Sequence, residues 1–223
     1  MKKNRNKSID LGISFLLFFS GLFIAFLLNT KPLIGGLISL LPPIIYLSFR
    51  ENKNWKKIFW AVLLFGIIWG FCFDLIETYN RAWEVSRLVF NLKFFNILPV
   101  DDVLGFMLMT LTIIVFYEHF IDDEKNKKNS KNLRYALVGS LLFFLFIIIL
   151  FTLNYKYIFS LHYAYLYGGL VAIIIPVVLS FYRPKLLPKF LLASALFFVI
   201  WLAEEWVAIK TGGWIFEGNY VGM

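Results

Sequence analysis

The sequence is poor in the residues that form disulfides and metal sites. Its 223 residues include one cysteine, Cys72, and two histidines, His119 and His162. One thiol excludes an intramolecular disulfide, and no Cys/His cluster has the spacing of a zinc site. Neither a Gly-x-Gly-x-x-Gly fingerprint nor a P-loop is present. We therefore expect no metal site and no cofactor. His119 lies at the end of an apolar run, so we expect it to be at the membrane interface.

Charged residues are also scarce, at 16% of the chain against about 25% in soluble domains. Hydrophobic residues reach 60% and aromatic residues 20%, more apolar surface than a soluble protein of this length could bury. The net charge of +8 does not indicate nucleic-acid binding, because Lys and Arg occur in short clusters between apolar runs, as in cytoplasmic loops. The composition predicts an all-α polytopic membrane protein whose main partner is the lipid bilayer.

Seven apolar runs approach the length of about 20 residues that crosses a bilayer. Sixteen of the 22 Lys and Arg residues lie at the N-terminus and in alternate loops. The positive-inside rule therefore predicts a multi-pass protein of the cytoplasmic membrane with a cytoplasmic N-terminus. The first run lacks a convincing cleavage site, so we expect it to be retained as a span. The predicted spans are 9–28, 33–49, 59–78, 103–120, 135–153, 164–181 and 190–209.

The two parts of the chain repeat at a nearly constant offset, which predicts a parallel tandem repeat of four-span units. The first unit covers 1–120, a basic cytoplasmic loop covers 121–134, and the second unit covers 135–223. Because the chain stops before the counterpart of the fourth span, we expect the second unit to be incomplete. The matched pairs are Gly35 and Gly168, Pro43 and Pro176, and Arg50 and Arg183 at 133 residues, then Phe59 and Phe190, Asp74 and Glu205, and Trp83 and Trp214 at 131.

Six carboxyl groups at the ends of three predicted spans lie toward one side of the membrane. Ionisable residues within spans are expensive and are functional candidates by default. Simpler explanations stay open, because acids after a proline can stabilise a helix start and tryptophans at span ends often form an interfacial belt. The six acids are Asp74, Glu77, Asp101, Asp102, Glu204 and Glu205.

An acid that closes a span, followed nine residues later by tryptophan, occurs twice, as Asp74 with Trp83 and as Glu205 with Trp214. Pro99-Val-Asp-Asp102 opens the span after the first pair, and the second pair lies beside Thr211-Gly-Gly-Trp-Ile-Phe216 and Gly218-Asn-Tyr-Val-Gly222. This pattern resembles the small integral-membrane lycopene cyclases of bacteria and archaea, in which Pro-x-Glu-Glu opens the span. Here aspartates replace both glutamates. The resemblance covers roughly residues 33–120 and 164–223.

The resemblance implies acid-catalysed cyclisation of lycopene end groups to cyclic, beta-type ends, with a hydrophobic carotenoid as substrate. It assigns proton donation to Asp101 and Asp102, and base or pairing roles to Asp74 and Glu205. Trp83 and Trp214 would wall the pocket, where aromatic faces stabilise a cation. The other expected substrate contacts are Pro99, Glu77 and Glu204. The family's two-subunit members also make a homo- or hetero-oligomer an expectation.

Two other classes remain open from the sequence. A protein of the same fold could bind an isoprenoid without turnover or serve as a partner subunit, as the altered acidic motif would allow. A small membrane transporter could also contain parallel repeats, although charged residues at mid-bilayer depth are nearly absent from the first six predicted spans.

Overall fold

The computed structural model describes residues 6–50, 54–122 and 133–216 and is an all-α polytopic helix bundle, which confirms the predicted fold class. Six of the helices are long and apolar enough to cross a membrane, and α6 contains a shorter apolar stretch, Ala164–Leu179. The helices are α1 (Lys7–Leu27), α2 (Pro32–Arg50), α3 (Trp55–Tyr79), α4 (Val100–Asp122), α5 (Leu133–Thr152), α6 (Ala164–Tyr182) and α7 (Leu187–Lys210).

Local sequence explains several helix starts. The side chains of Asn6 and Asn54 cap α1 and α3 by accepting backbone hydrogen bonds, as short polar residues commonly do at this position. Pro99 is extended and precedes α4, whose first turn contains Asp101 and Asp102.

Within α3, the segment Val62–Trp69 has π-helical hydrogen bonding, and α4 ends with a π-helical turn, Tyr117–Asp122.

Helix α4 lies at the centre of the bundle. It packs against α2, α3 and α7, while α1 packs along α2, and α5 and α6 pack against α3. Most of the apolar core therefore forms around α4. The buried core side chains here include Phe18, Leu22, Leu40, Leu47, Leu108, Val115, Phe116 and Ile200.

A glycine determines how closely α1 approaches α2. A Cβ on Gly21 would overlap the Ile38 carbonyl oxygen and lie 2.8 Å from Ser39 Cα, whereas a Cβ on Gly12 would meet nothing within 4 Å. We expect Gly21→Ala to destabilise the protein by about 1–3 kcal/mol, because backbone atoms would have to move. Gly12→Ala is the matched control and should leave unfolding in detergent unchanged. Equal unfolding of the two variants would contradict this packing.

Two short strand pairs lie at the end of the bundle where α3 ends and α4 begins. Strands β2 (Lys93–Phe94) and β3 (Leu98–Pro99) pair within the loop before α4. Strand β1 (Glu84–Val85) pairs antiparallel with β4 (Trp214–Ile215), with Glu84 opposite Ile215. These two residues are separated by the 131 residues of the sequence repeat. A two-fold axis between the units would pair equivalent positions in this antiparallel way, so the register agrees with the offset of the repeat, which stays a prediction.

The predicted division into units corresponds only loosely to the packing. Helices α1 to α4 form one closely packed group, whereas α5 and α6 are attached to it through α3. The unit boundaries therefore stay a prediction. Most of the predicted basic loop 121–134 and the motif positions 218–222 lie outside the described residues.

A buried polar network lies at the opposite end from the acids. Asp10 Oδ1 accepts hydrogen bonds from Tyr46 Oη and Arg50 Nε, both at 2.7 Å, and Asp10 Oδ2 lies 3.1 Å from His119 Nε2. Asp10 and His119 are both 0% exposed. His119, which the sequence predicts to be interfacial, lies in the last turn of α4, and its buried side chain joins α4 to α1 inside the bundle. The Asp10 network comprises Asp10, Tyr46, Arg50 and His119.

Candidate functional site

One pocket brings together five of the six predicted acids. It lies where α2 begins, α3 ends, α4 begins and α7 ends, with β1 and β4 beside it. The pocket encloses about 870 Å³ of space between atoms, including its open mouth. We call it the acid pocket. The carboxyl groups in its lining belong to Asp74, Asp101, Asp102, Glu204 and Glu205.

Asp74 and Asp102 form the centre of the acidic cluster. Asp74 is 1% exposed, and its carboxyl is close enough to those of Asp102 and Glu77 for their charges to interact. Asp74 Oδ1 and Asp102 Oδ2 are buried and accept no hydrogen bond from the part of the chain that the structure describes. Buried carboxyl oxygens without partners are costly. These two atoms are therefore available to a ligand or to a shared proton.

Asp101 has a different environment from its neighbour. Its carboxyl oxygens accept the backbone N–H groups of Val89, at 2.5 Å, and Phe90, at 2.9 Å. The loop between β1 and β2 is therefore anchored to the start of α4. Both carboxyl oxygens of Asp101 are thus occupied by backbone donors, which gives this residue an anchoring role; its predicted proton donation stays a prediction.

Glu204 is contacted by Ser39 of α2, a residue that does not itself line the acid pocket. Ser39 Oγ is a donor to Glu204 Oε1, and it also lies 2.9 Å from the Gly35 carbonyl oxygen. A serine hydroxyl has one proton to donate, so these two acceptors share it. Ser39 thereby connects α2 to the Glu204 carboxyl of α7.

Aromatic side chains wall the acid pocket. Trp83 and Trp214 are among them, and the lining adds four aromatics that sequence analysis did not single out as site residues: Phe106, Tyr165, Trp201 and Phe216. Trp83 packs edge-on against Tyr165 with ring centroids 5.7 Å apart, and Trp201 lies 5.9 Å from Trp214. Helical spacing was a usable signal for Trp201, which lies one turn before Glu205. No sequence signal pointed to Tyr165 or Ser39.

Two predicted substrate contacts lie outside the acid pocket. Glu77 is 2% exposed, and its Oε1 faces Gly168 of α6, where an added Cβ would be 2.6 Å away. It lies one turn after Asp74 on α3 but is not part of the acid pocket's lining. Pro99 is buried in β3 and lines a separate, more open pocket on the loop side. Glu77 and Pro99 therefore do not line the acid pocket, and their contacts with a substrate stay a prediction.

The charge balance of the acid pocket is unusual. None of its five carboxyl groups lies within 4.0 Å of a Lys, Arg or His nitrogen of the described residues, and Lys93 is the cation whose charge acts on Asp102. Asp74 is the most deeply buried of the five, and an isolated ionised carboxylate is expensive to bury, so Asp74 and its neighbour Asp102 are suited to sharing a proton. In residues 6–50, 54–122 and 133–216, no three His, Cys, Asp or Glu side chains are arranged to hold a metal ion.

Comparison with protein-family models, with curated proteins and with solved structures finds no match to this chain.

Proposed function

We propose that this membrane protein protonates the end of an acyclic isoprenoid and closes it into a ring, with a lycopene end group as the substrate that the sequence resemblance favours. The observation that supports the proposal most strongly is the acid pocket itself. Carboxyl groups from α3, α4 and α7 meet tryptophan faces in one cavity of an apolar helix bundle. A hydrocarbon substrate dissolved in the bilayer needs such a combination of apolar walls and acids.

The reaction needs three balanced steps. A carboxyl O–H bond breaks and the proton adds to the terminal C=C bond, whose electron pair forms the new C–H bond and leaves a tertiary carbocation. The next C=C bond in the chain supplies the electron pair for the ring-closing C–C bond. A carboxylate then removes a proton from carbon next to the new cation, which restores a double bond. The product is an isomer of the substrate.

The geometry suggests how these roles are divided. Asp102 and Asp74 are neighbouring carboxyls with unpartnered oxygens, so they can share one proton and donate it. Glu204 and Glu205 lie on α7 and also line the pocket, where they can accept the final proton. Asp101 positions the loop that precedes α4. Contacts of a carbocation with the Trp83, Trp201 and Trp214 faces would contribute about 0.5–2 kcal/mol each.

The proposed location follows the charge distribution of the loops. Cytoplasmic-membrane localisation and a cytoplasmic N-terminus would place the Asp10 network at the cytoplasmic side and the acid pocket toward the outer leaflet. A carotenoid substrate could then enter laterally from the bilayer.

Expression in a bacterium that accumulates lycopene tests the proposal. Chromatography of the extracted pigments should show monocyclic or bicyclic carotenes, whereas cells with empty vector should retain lycopene. Protein in the membrane fraction should be quantified in parallel. Unchanged lycopene, with folded protein present in the membrane, would contradict the enzymatic proposal.

The anchoring of Asp101 favours one alternative, an isoprenoid-binding protein without turnover. Both oxygens of this acid are occupied by backbone N–H groups, which leaves fewer carboxyls for proton transfer. Such a protein would co-purify with lycopene in an unchanged form. The pigment analysis therefore distinguishes the two functions, because only the enzyme produces cyclic carotenes.

A further inference from the structure

A second apolar crevice lies between α4 and α7, farther along the bundle than the acid pocket. It holds about 280 Å³ of space between atoms, including its open side. Its walls are almost entirely apolar, and we call it the α4–α7 groove. The lining residues that matter here are Thr112, Ile113, Phe116, Ala193, Phe197 and Ile200.

The same faces of the two helices line both cavities. Along α4, Gly105 and Met109 of the acid pocket are followed by Ile113 of the groove at four-residue spacing, and along α7 the groove residue Phe197 is followed by Trp201 of the pocket. Residues four apart lie on one helix face. The groove therefore lies in line with the acid pocket along the α4–α7 contact.

The length of this surface suits an extended chain. From Gly105 to Ile121, the last α4 residue in the groove lining, 16 residues at 1.5 Å each span about 24 Å. The hydrocarbon core of a bilayer is about 30 Å thick. A linear hydrocarbon with one end in the acid pocket would thus lie parallel to the helices and within the membrane.

An ion pair closes the far end of the groove. Lys189 Nζ of α7 donates to Asp122 Oδ1 of α4 at 3.0 Å. Asp122 follows the groove residue Ile121 in the sequence, and Lys189 lies one turn before the groove residue Ala193. This pair links the same two helices that form the walls. A charged pair at this position excludes an apolar chain from going further, so the groove has a fixed length.

We propose that the α4–α7 groove binds the extended hydrocarbon chain of an acyclic isoprenoid whose end group occupies the acid pocket, and that the Asp122–Lys189 pair limits the chain length. The identity of the end group rests on the proposed function, but binding of the chain does not require turnover. The groove thereby selects long acyclic chains over short ones.

Matched substitutions on α7 test this inference. Ala193→Phe places a ring in the groove, whereas Ala195→Phe adds the same ring at an exposed position of the same helix. Purified protein in detergent is titrated with lycopene, a forty-carbon acyclic chain, and with a ten-carbon acyclic isoprenoid hydrocarbon. The readout is retained hydrocarbon per protein and quenching of tryptophan fluorescence, to which Trp201 of the acid pocket contributes.

We expect Ala193→Phe to weaken lycopene binding about tenfold or more, since the added ring would occupy the space that the chain needs in the groove. Binding of the ten-carbon chain should be unchanged, which also shows that the variant is folded. Ala195→Phe should bind both hydrocarbons like wild type. Ile113→Phe, on the opposite wall, should reproduce the effect of Ala193→Phe.

Equal lycopene binding by Ala193→Phe, Ala195→Phe and wild type would overturn the proposal that the groove binds the chain. Full displacement of lycopene by phospholipid at equal concentration would also overturn it, because the crevice would then be an ordinary lipid contact. Length-selective binding without any cyclic product would instead support the groove and contradict the proposed enzymatic function. The two proposals can therefore fail separately.

Discussion

Asp102→Asn is expected to reduce formation of cyclic carotenes by at least about 100-fold, the lower range of what a general acid contributes. Asparagine keeps nearly the same shape but has no acidic proton to donate. Asp102 Oδ2 has no hydrogen-bond partner among the described residues, so the substitution breaks no contact at that atom. The loss should therefore appear in turnover, measured as cyclic carotene per folded protein, with lycopene binding retained.

Three further substitutions separate chemistry from structure. Glu84→Gln is the matched control, because Glu84 is exposed in β1 and lies outside the acid pocket; its activity should equal wild type. Asp101→Asn should loosen the loop that contains Val89 and Phe90. Faster proteolytic cleavage of this loop would reveal the change. Asp74→Asn should be as inactive as Asp102→Asn if the two share a proton. Full activity of Asp102→Asn would remove this residue from the mechanism.

Asp10→Ala is expected to produce the largest loss of stability. Three side chains, Tyr46, Arg50 and His119, direct polar atoms at this fully buried carboxyl. Removing one partner of a buried ion pair leaves the others without compensation, which typically costs about 3–5 kcal/mol. Denaturant unfolding of purified protein in detergent would measure the change.

A graded series would check the origin of that loss. Tyr46→Phe removes a single hydrogen bond and should cost about 1 kcal/mol, while Asp10→Asn, which keeps acceptor atoms, should fall between Tyr46→Phe and Asp10→Ala. Asp10→Ala with the stability of wild type would show that the network does not hold α1, α2 and α4 together. Binding of a short isoprenoid by folded protein should be unaffected, because the network is at the other end of the bundle from the acid pocket.

The placement of the acids could be predicted because it depends on the topology of the spans. Alternate span ends lie on the same side of a membrane, so Asp74, Asp101 and Glu205 had to lie at a similar depth once the spans were identified. Apolar runs of about 20 residues identify spans reliably because the bilayer leaves few alternatives to helices. The strand register between β1 and β4 also agrees with the offset of the sequence repeat.

The rotation of each helix could not be predicted in the same way. Almost every residue in these spans is apolar, so hydrophobic periodicity does not indicate which face is inside. Nothing in the sequence therefore indicated that Glu77 faces α6 rather than the acid pocket. The contact between Ser39 and Glu204 likewise had no signal in the sequence. The contact between Asp10 and His119 joins residues 109 positions apart, and neither residue type indicates its partner.

The most direct test of the central claim is isotopic labelling of the ring. Purified protein would convert lycopene in deuterated water, and mass spectrometry would count deuterium in the cyclic product. Proton donation from exchangeable carboxyl groups of the acid pocket predicts one deuterium for each ring formed, since the donated deuteron stays on carbon and the proton lost comes from the substrate skeleton. Cyclic product without deuterium, or no cyclic product from folded protein, would contradict acid-catalysed cyclisation in this pocket.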